Sequence, residues 1–173
     1  MMDIKALLLL PCRCMLLISA LLPASHAATL GVTATLLPAC TAGTTVGNST
    51  SYGTLNFGNY ASLASVINTT SAQLAGSIRV NCISGLSYKI LMDGGSSGSV
   101  TSRNMANTTN AALKVLYNLY TTASLSTIWD NTTGLSDTGN GADQWHTVYG
   151  QVPSQITPAA GVYQDTVNVT VSW

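Results

Sequence analysis

The stretch of this chain best suited to making a nucleophile is Gly94-Gly-Ser-Ser-Gly98, which fits the G-x-S-x-G pattern with Ser96 at its centre. Such a serine becomes reactive on a sharp strand-to-helix elbow with a histidine in reach. The sole histidine after the leader is His146, no helical pattern follows Ser96, and the flanking glycines read as a flexible turn. Asp143 stands just before His146, but no third partner for general-base or metal chemistry is visible, so both are expected in a loop. Five matches to N-x-[ST], at Asn48, Asn68, Asn107, Asn131 and Asn168, are what a chain rich in Asn and Thr gives by chance. No catalytic residue, metal, cofactor or small-molecule substrate is expected.

Cys40 and Cys82 form the other chemically distinctive pair. They could be free thiols or two ligands of a metal, but no His lies near either, and half a zinc site is not a site. One disulfide is the simplest reading, closing a loop of roughly forty residues worth about 4 kcal/mol on the chain-entropy model. It needs an oxidising compartment, and the N-terminal residues point to one. Lys5 and Arg13 give a positive front, residues 14–22 are a short apolar stretch, and Pro23-Ala-Ser-His-Ala27 supplies a small-x-small cleavage pattern. Pro11 and Arg13 interrupt the apolar run, and Pro11 before Cys12 disfavours a lipoprotein signal. Residues 1–27 are therefore expected to be a signal peptide, with Cys12 and Cys14 leaving with it.

The remaining chain is of a length suited to one domain. Its bases are Arg79, Lys89, Arg103 and Lys114, its acids Asp93, Asp130, Asp137, Asp143 and Asp165, and it has no glutamate. So few and so scattered charges leave no electrostatic footprint for nucleic acid or an anionic membrane.

These residues must be positioned by strands. Leu30, Val32, Ala34 and Leu36 alternate with polar or small residues until Pro38. Further strands are expected around Tyr52-Gly-Thr-Leu-Asn-Phe-Gly58, at Ile78, Val80 and Cys82, and at Tyr88-Lys-Ile-Leu-Met92, which Asp93-Gly-Gly95 turns. Leu113, Val115, Tyr117 and Leu119 follow; the Ala- and Leu-rich stretch around them could be helical, but period two with Tyr and Val favours a strand. Ile128-Trp129, Val148-Tyr-Gly-Gln-Val152 and a long terminal strand complete the set. Seven or eight short strands with Gly/Ser/Thr/Asn loops indicate an antiparallel, immunoglobulin-like sandwich. Trp129, Trp145 and Tyr120 are expected to pack loops onto it, with surface binding the lesser reading.

The terminal strand is the sharpest feature. Val167, Val169, Val171 and Trp173 share one face, and Thr166, Asn168, Thr170 and Ser172 the other. An uncovered β-branched strand at the end of a sequence is an aggregation hazard unless an earlier segment or another molecule occupies the space beside it. The early strand, placed before the first cysteine, could be the first of its own sandwich or a detachable strand for a neighbour.

Taken in order, Tyr52-Gly-Thr-Leu-Asn-Phe-Gly58, Ile78-x-Val80-x-Cys82, Asp93-Gly-Gly95, Arg103-Asn-Met105, Tyr117-Asn-Leu-Tyr120, Tyr149-Gly-Gln-Val-Pro153 and Tyr163-x-Asp-Thr-Val-x-Val-Thr-Val-x-Trp173 resemble the spore coat protein U family. That family includes the pilins of archaic chaperone–usher (Csu-type) pili; Asp130 and Thr122 depart from its usual residues. The resemblance implies an all-β, incomplete immunoglobulin-like antiparallel sandwich completed by a donor strand, as in pilin strand complementation. It divides the chain into residues 28–39, an N-terminal donor extension, and residues 40–173, the sandwich. Leu30, Val32, Ala34 and Leu36 would be the donor plugs, contributing on the order of 5–10 kcal/mol gross on burial. Val167, Val169, Val171 and Trp173 would bound the acceptor groove and meet the chaperone. Implied partners are a periplasmic chaperone, an outer-membrane usher and neighbouring pilin subunits, in a fibre at the cell surface serving adhesion and biofilm formation. The alternative is a surface, spore-coat or adhesin protein using the same fold as a binding module.

Overall fold

The computed structural model describes residues 31–35, 39–46 and 49–173, in two units, Met1–Leu36 and Leu37–Trp173. In the first unit, residues 31–35 have no regular secondary structure and Val32 is 83% exposed. The strand expected there is not formed, because alternation sets the faces of a strand and only a hydrogen-bonded neighbour makes one. Leu30 and Leu36 lie outside the described residues.

The second unit is built from short antiparallel strands: β1 (Cys40–Ala42), β2 (Thr44–Val46), β3 (Ser49–Ser51), β4 (Ile67–Thr70), β5 (Ile78–Cys82), β6 (Ser87–Met92), β7 (Arg103–Asn107), β8 (Lys114–Tyr120), β9 (Leu135–Thr138), β10 (Asp143–His146), β11 (Tyr149–Val152), β12 (Tyr163–Gln164) and β13 (Val169–Ser172). One layer is the five-stranded sheet β12-β7-β8-β11-β4. The other consists of two three-stranded pieces, β1-β5-β10 and β13-β6-β9, which are halves of one bent ribbon. Ile78 faces His146 and Asn81 faces Asp143 in the first half; Ser87 faces Thr138 and Ile90 faces Leu135 in the second, so the register runs on with a slip of one residue. At the bend Gly141 N donates to Cys82 O and Gly139 N to Leu86 O. Gly139 is required there, since a Cβ would lie 2.3 Å from Ile83 O and 2.7 Å from Cys82 Cβ.

Ile78, Val80, Cys82, Tyr88, Ile90 and Met92 from the ribbon meet Ile67, Val115, Tyr117, Leu119 and Val152 from the five-stranded sheet in one core. This is the sandwich expected from period-two patterning, and the Leu113-to-Leu119 stretch is strand β8, not a helix. There are more strands than expected because β1–β4, β7, β9 and β10 lie in largely polar segments that alternation did not mark, and because the terminal strand divides in two.

Three local expectations change. Residues 52–58 form no strand, although Leu55 and Phe57 pack on the core. Ile128 makes a single bridge to Tyr120, and Trp129 beyond it is fully buried with its Nε1 donating to Ile90 O at 2.9 Å. The terminal strand divides, with β12 on β7 in one layer and β13 on β6 in the other.

Candidate functional site

β13 pairs with β6 along one side and is the last strand of its sheet. Val169 stands opposite Met92 and Val171 opposite Ile90. Ile90 and Met92 are fully buried, yet Val171 and Val169 opposite them are only half-buried, as is Val167 just before the strand. Side chains on one face of adjacent strands differ this way where the layer stops, leaving the outer strand's apolar row uncovered on its far side. Thr166, Asn168, Thr170 and Ser172 face solvent, so the alternation read from the sequence holds across the division. Trp173 is 60% exposed and borders an open depression of about 450 Å³ lined also by Tyr88, Lys89 and Asp137.

Residues 52–58 offer a second apolar row near this one. Leu55 and Phe57 are half-buried, alternating with exposed Asn56 and Gly58. They lie on Gly150, where a Cβ would come within 2.8 Å of the Phe57 ring and 2.9 Å of Leu55. Tyr117 connects the two rows: its ring meets Phe57 edge-on at 5.9 Å and its hydroxyl donates to Asp165 Oδ2 at 2.7 Å. Burial, reinforced by that hydrogen bond, drives the Tyr117 hydroxyl far above its usual ionisation range. The Gly53 and Gly58 amides donate to the side chains of Ser51 and Asn56, and Asn56 O accepts from Thr69 Oγ1. Side chains thus serve main-chain groups that a strand would give to a neighbour.

Between Asp165 and Asn168 the chain crosses from one layer to the other, and two aspartates hold it. Asp165 Oδ1 accepts from Ser96 N, from Ser96 Oγ at 2.7 Å and from Thr166 N. Asp93 Oδ1 accepts from Gly95 N and Asn168 N, and its Oδ2 from Asn168 Nδ2 at 2.7 Å. Burial raises the cost of ionising Asp93, but these bonds and nearby Arg103 together hold its carboxyl below the usual carboxylate range.

Arg103 is fully buried, and its guanidinium donates to the carbonyls of Met92, Asp93, Val100 and Trp129 and to Asn118 Oδ1. It therefore ties β7 of one layer to the end of β6 in the other. Burial lowers its pKa against the field of the surrounding carboxylates, and it is charged at any ordinary pH. Asp130 closes the neighbouring turn by accepting from the amides of Thr132, Thr133 and Gly134.

The residues first considered for chemistry are dispersed. Ser96 sits in a single 3-10 turn (Gly95–Ser97) with its hydroxyl bonded to Asp165. His146 belongs to strand β10, not to a loop, with Nε2 2.7 Å from the Tyr88 hydroxyl and 3.8 Å from Asp137. Asp143 also belongs to β10 and pairs with Arg79 through two 2.7 Å contacts, so it does not serve His146. Burial pushes the Tyr88 hydroxyl up to about 12 and lowers His146. Trp145 is half-buried on β10 and Tyr120 half-buried at the end of β8; neither joins an exposed aromatic cluster with the buried Trp129. Among the described residues no group of three or more His, Cys, Asp or Glu is arranged to hold a metal ion.

Cys40 and Cys82 are directly opposite one another on β1 and β5 and are joined by a disulfide, with Cα atoms 4.1 Å apart. The sequence signals missed the roles of Arg103 and Asp165. Arg103 could have been suspected as an isolated cation in an apolar strand; Asp93 was read only as a turn residue.

A family model described as the Spore Coat Protein U domain matches residues 26–170. Among solved structures, a chain from the crystal structure of the CsuC–CsuE chaperone–tip adhesion subunit pre-assembly complex, from archaic chaperone-usher Csu pili of Acinetobacter baumannii, is similar. The TM-score is 0.50 over 80% of this chain at 17% identity, and this chain spans 41% of that one. At that identity the likeness is one of fold. No curated protein matches.

Proposed function

The chain belongs to the spore coat protein U domain family, and from that membership we propose that it is a structural subunit of a chaperone–usher pilus, joined to its neighbours by donor-strand exchange. The observation that carries this reading is β13: a charge-free strand at a sheet edge, with Val169 and Val171 half-covered opposite fully buried Met92 and Ile90 and Val167 half-covered just before them. A strand laid along that edge would complete the layer and bury the valine row. Residues 28–39 of a neighbouring subunit are the proposed occupant, with Leu30, Val32, Ala34 and Leu36 entering the groove. Leu55 and Phe57 would line its other side.

A periplasmic chaperone would hold the groove first, contacting Val167, Val169, Val171 and Trp173, and an outer-membrane usher would pass the subunit to the fibre. Donor and acceptor are different surfaces, so the contact is head-to-tail and propagates. Export and display at the cell surface follow from the same reading, and adhesion and biofilm formation are the roles of such a fibre. No bond-making step is assigned to any residue.

The test is to delete residues 28–37 and co-express parent and variant with the chaperone encoded nearby. The variant is expected to form a stable chaperone heterodimer and to accept a donor, but not to polymerise alone. A deletion variant that still polymerises by itself overturns the donor assignment.

A further inference from the structure

The valine row that makes β13 a good acceptor makes it a poor ruler. Val167, Val169 and Val171 are identical and recur every second residue, so sliding β13 by two positions along β6 returns a valine to nearly every site. Thr166, Asn168, Thr170 and Ser172 on the outer face are all small and polar, and no tight hairpin turn joins β13 to β6 to fix the alignment. Apolar burial therefore scarcely distinguishes two registers that would offer a donor strand different positions.

What does distinguish them lies at the root of β13. Asp93 and Asn168 occupy the next pair in the β13–β6 register, beyond Met92 and Val169. Asp93 N donates to Asn168 O, and both carboxylate oxygens of Asp93 are engaged by Asn168, one by its amide N–H and one by Nδ2. Just upstream, Asp165 grips Ser96 and the Tyr117 hydroxyl, so the chain is pinned before and after it crosses between layers. After a slip of two, Thr166 or Thr170 would face Asp93 and the side-chain amide contact would be lost.

We infer that Asp93 and Asp165 are register-setting positioning residues: they fix which valine lies at which place along the groove, and so where a donor strand seats. The inference rests on the strand-exchange reading above. It assigns to the Asp-Gly-Gly turn and the serine of the G-x-S-x-G stretch a role in alignment.

The test is cross-linking between subunits of the exported full chain. Ala34→Cys in a donor is combined, one at a time, with Val167→Cys, Val169→Cys or Val171→Cys in an acceptor, and the intermolecular disulfides are mapped after assembly. In the parent background one acceptor position is expected to dominate. With Asp93→Asn and Asp165→Asn, that preference is expected to be lost, with cross-links at positions two residues apart. Gln155→Ala, which removes hydrogen bonds to the main chain of Leu116 in the other layer, is expected to lower the yield while leaving the dominant position unchanged. If the double variant does not accumulate, Asp165→Asn alone carries the same expectation.

An unchanged cross-link pattern in the aspartate variants overturns register setting while leaving strand exchange standing. A pattern that spreads equally in Gln155→Ala also overturns it, because any loosening would then suffice. No intermolecular disulfide in the parent at any position removes the strand-exchange reading, and this inference with it.

Discussion

The bent ribbon has two long margins, and they are finished differently. One is made by β9 and β10 and carries Asp137 and Asp143, the latter clasped by Arg79 and by Asn81 Nδ2 at 2.8 Å, with the kink at Gly139 between them. The other is made by β1 and β13, and β13 contributes only Val169, Thr170, Val171 and Ser172. Charge and a break in the strand line are the usual guards of an exposed edge against pairing. β13 carries no charge, and its half-buried row is made of valines, where the half-buried residues of β9 and β10 include Asp137, Gln144 and His146. One margin carries the usual guards against strand addition and β13 does not; under the proposed strand exchange, that difference would set the direction of assembly.

The comparison breaks most severely if charge is moved to the open margin. Val169→Lys with Val171→Lys would place cations in the groove without partners, at a cost of several kcal/mol each on burial, and is expected to abolish polymer formation as read by denaturant-resistant ladders. Ser136→Lys with Thr138→Lys on the guarded margin should leave those ladders intact. Equal loss in both would mean that the margins do not differ in function.

A smaller effect comes from beneath the open margin. Arg103→Met leaves the carbonyls of Met92, Asp93, Val100 and Trp129 short of donors and should lower stability by about 3–5 kcal/mol. Hydrogen exchange should rise in β13 and the end of β6 more than in β10. The guarded margin can be opened in turn: Asp137→Thr with Asp143→Thr should raise light scattering of the chaperone-free protein, with little shift in its denaturation midpoint.

The smallest effect is a pH dependence on the guarded side. Burial depresses the His146 pKa, partly offset by Asp137, whereas in the unfolded chain it titrates near 6.5. Between its folded pKa and about 6.5 the unfolded state binds more protons, so stability falls as pH falls through that window. Denaturant midpoints at pH 7 and pH 5 should differ less in His146→Asn than in the parent. Asp93 acts lower: its depressed carboxyl contributes stability above about pH 4, lost as pH falls through its folded pKa.

Much of the architecture was legible from alternation, because a sandwich with one wet and one dry face per strand writes its period into the residues. β8 and the inward row of β13 were readable this way, and the disulfide from the two cysteines that remain after the expected leader. The division of the terminal strand was not, since Val167 continues the period through the crossing and the polar bonds to Asp93 and Asp165 leave no mark on it. His146 was misplaced because its polar neighbours in sequence suggested a loop, while its setting is made by Tyr88 from a distant strand; Trp129 does pack a loop onto the sandwich, through its bond to Ile90. Arg103 can be buried only because distant carbonyls converge on it, which no local pattern records. The second apolar row at Leu55 and Phe57 was expected as a strand and has the burial of one without its ladder.

The disulfide between Cys40 and Cys82 has a mechanical consequence. β1 and β13 run along the same margin, one beside β5 and the other beside β6. In a fibre joined through residues 28–39, tension would enter each subunit at Cys40 and leave along β13. In that fibre the covalent link would pass the load straight into the ribbon, and the β13 ladder would bear it as shear along the strand, with its hydrogen bonds loaded together. Single-fibre pulling before and after reduction would show it, as an early extension that appears only once the disulfide is cut.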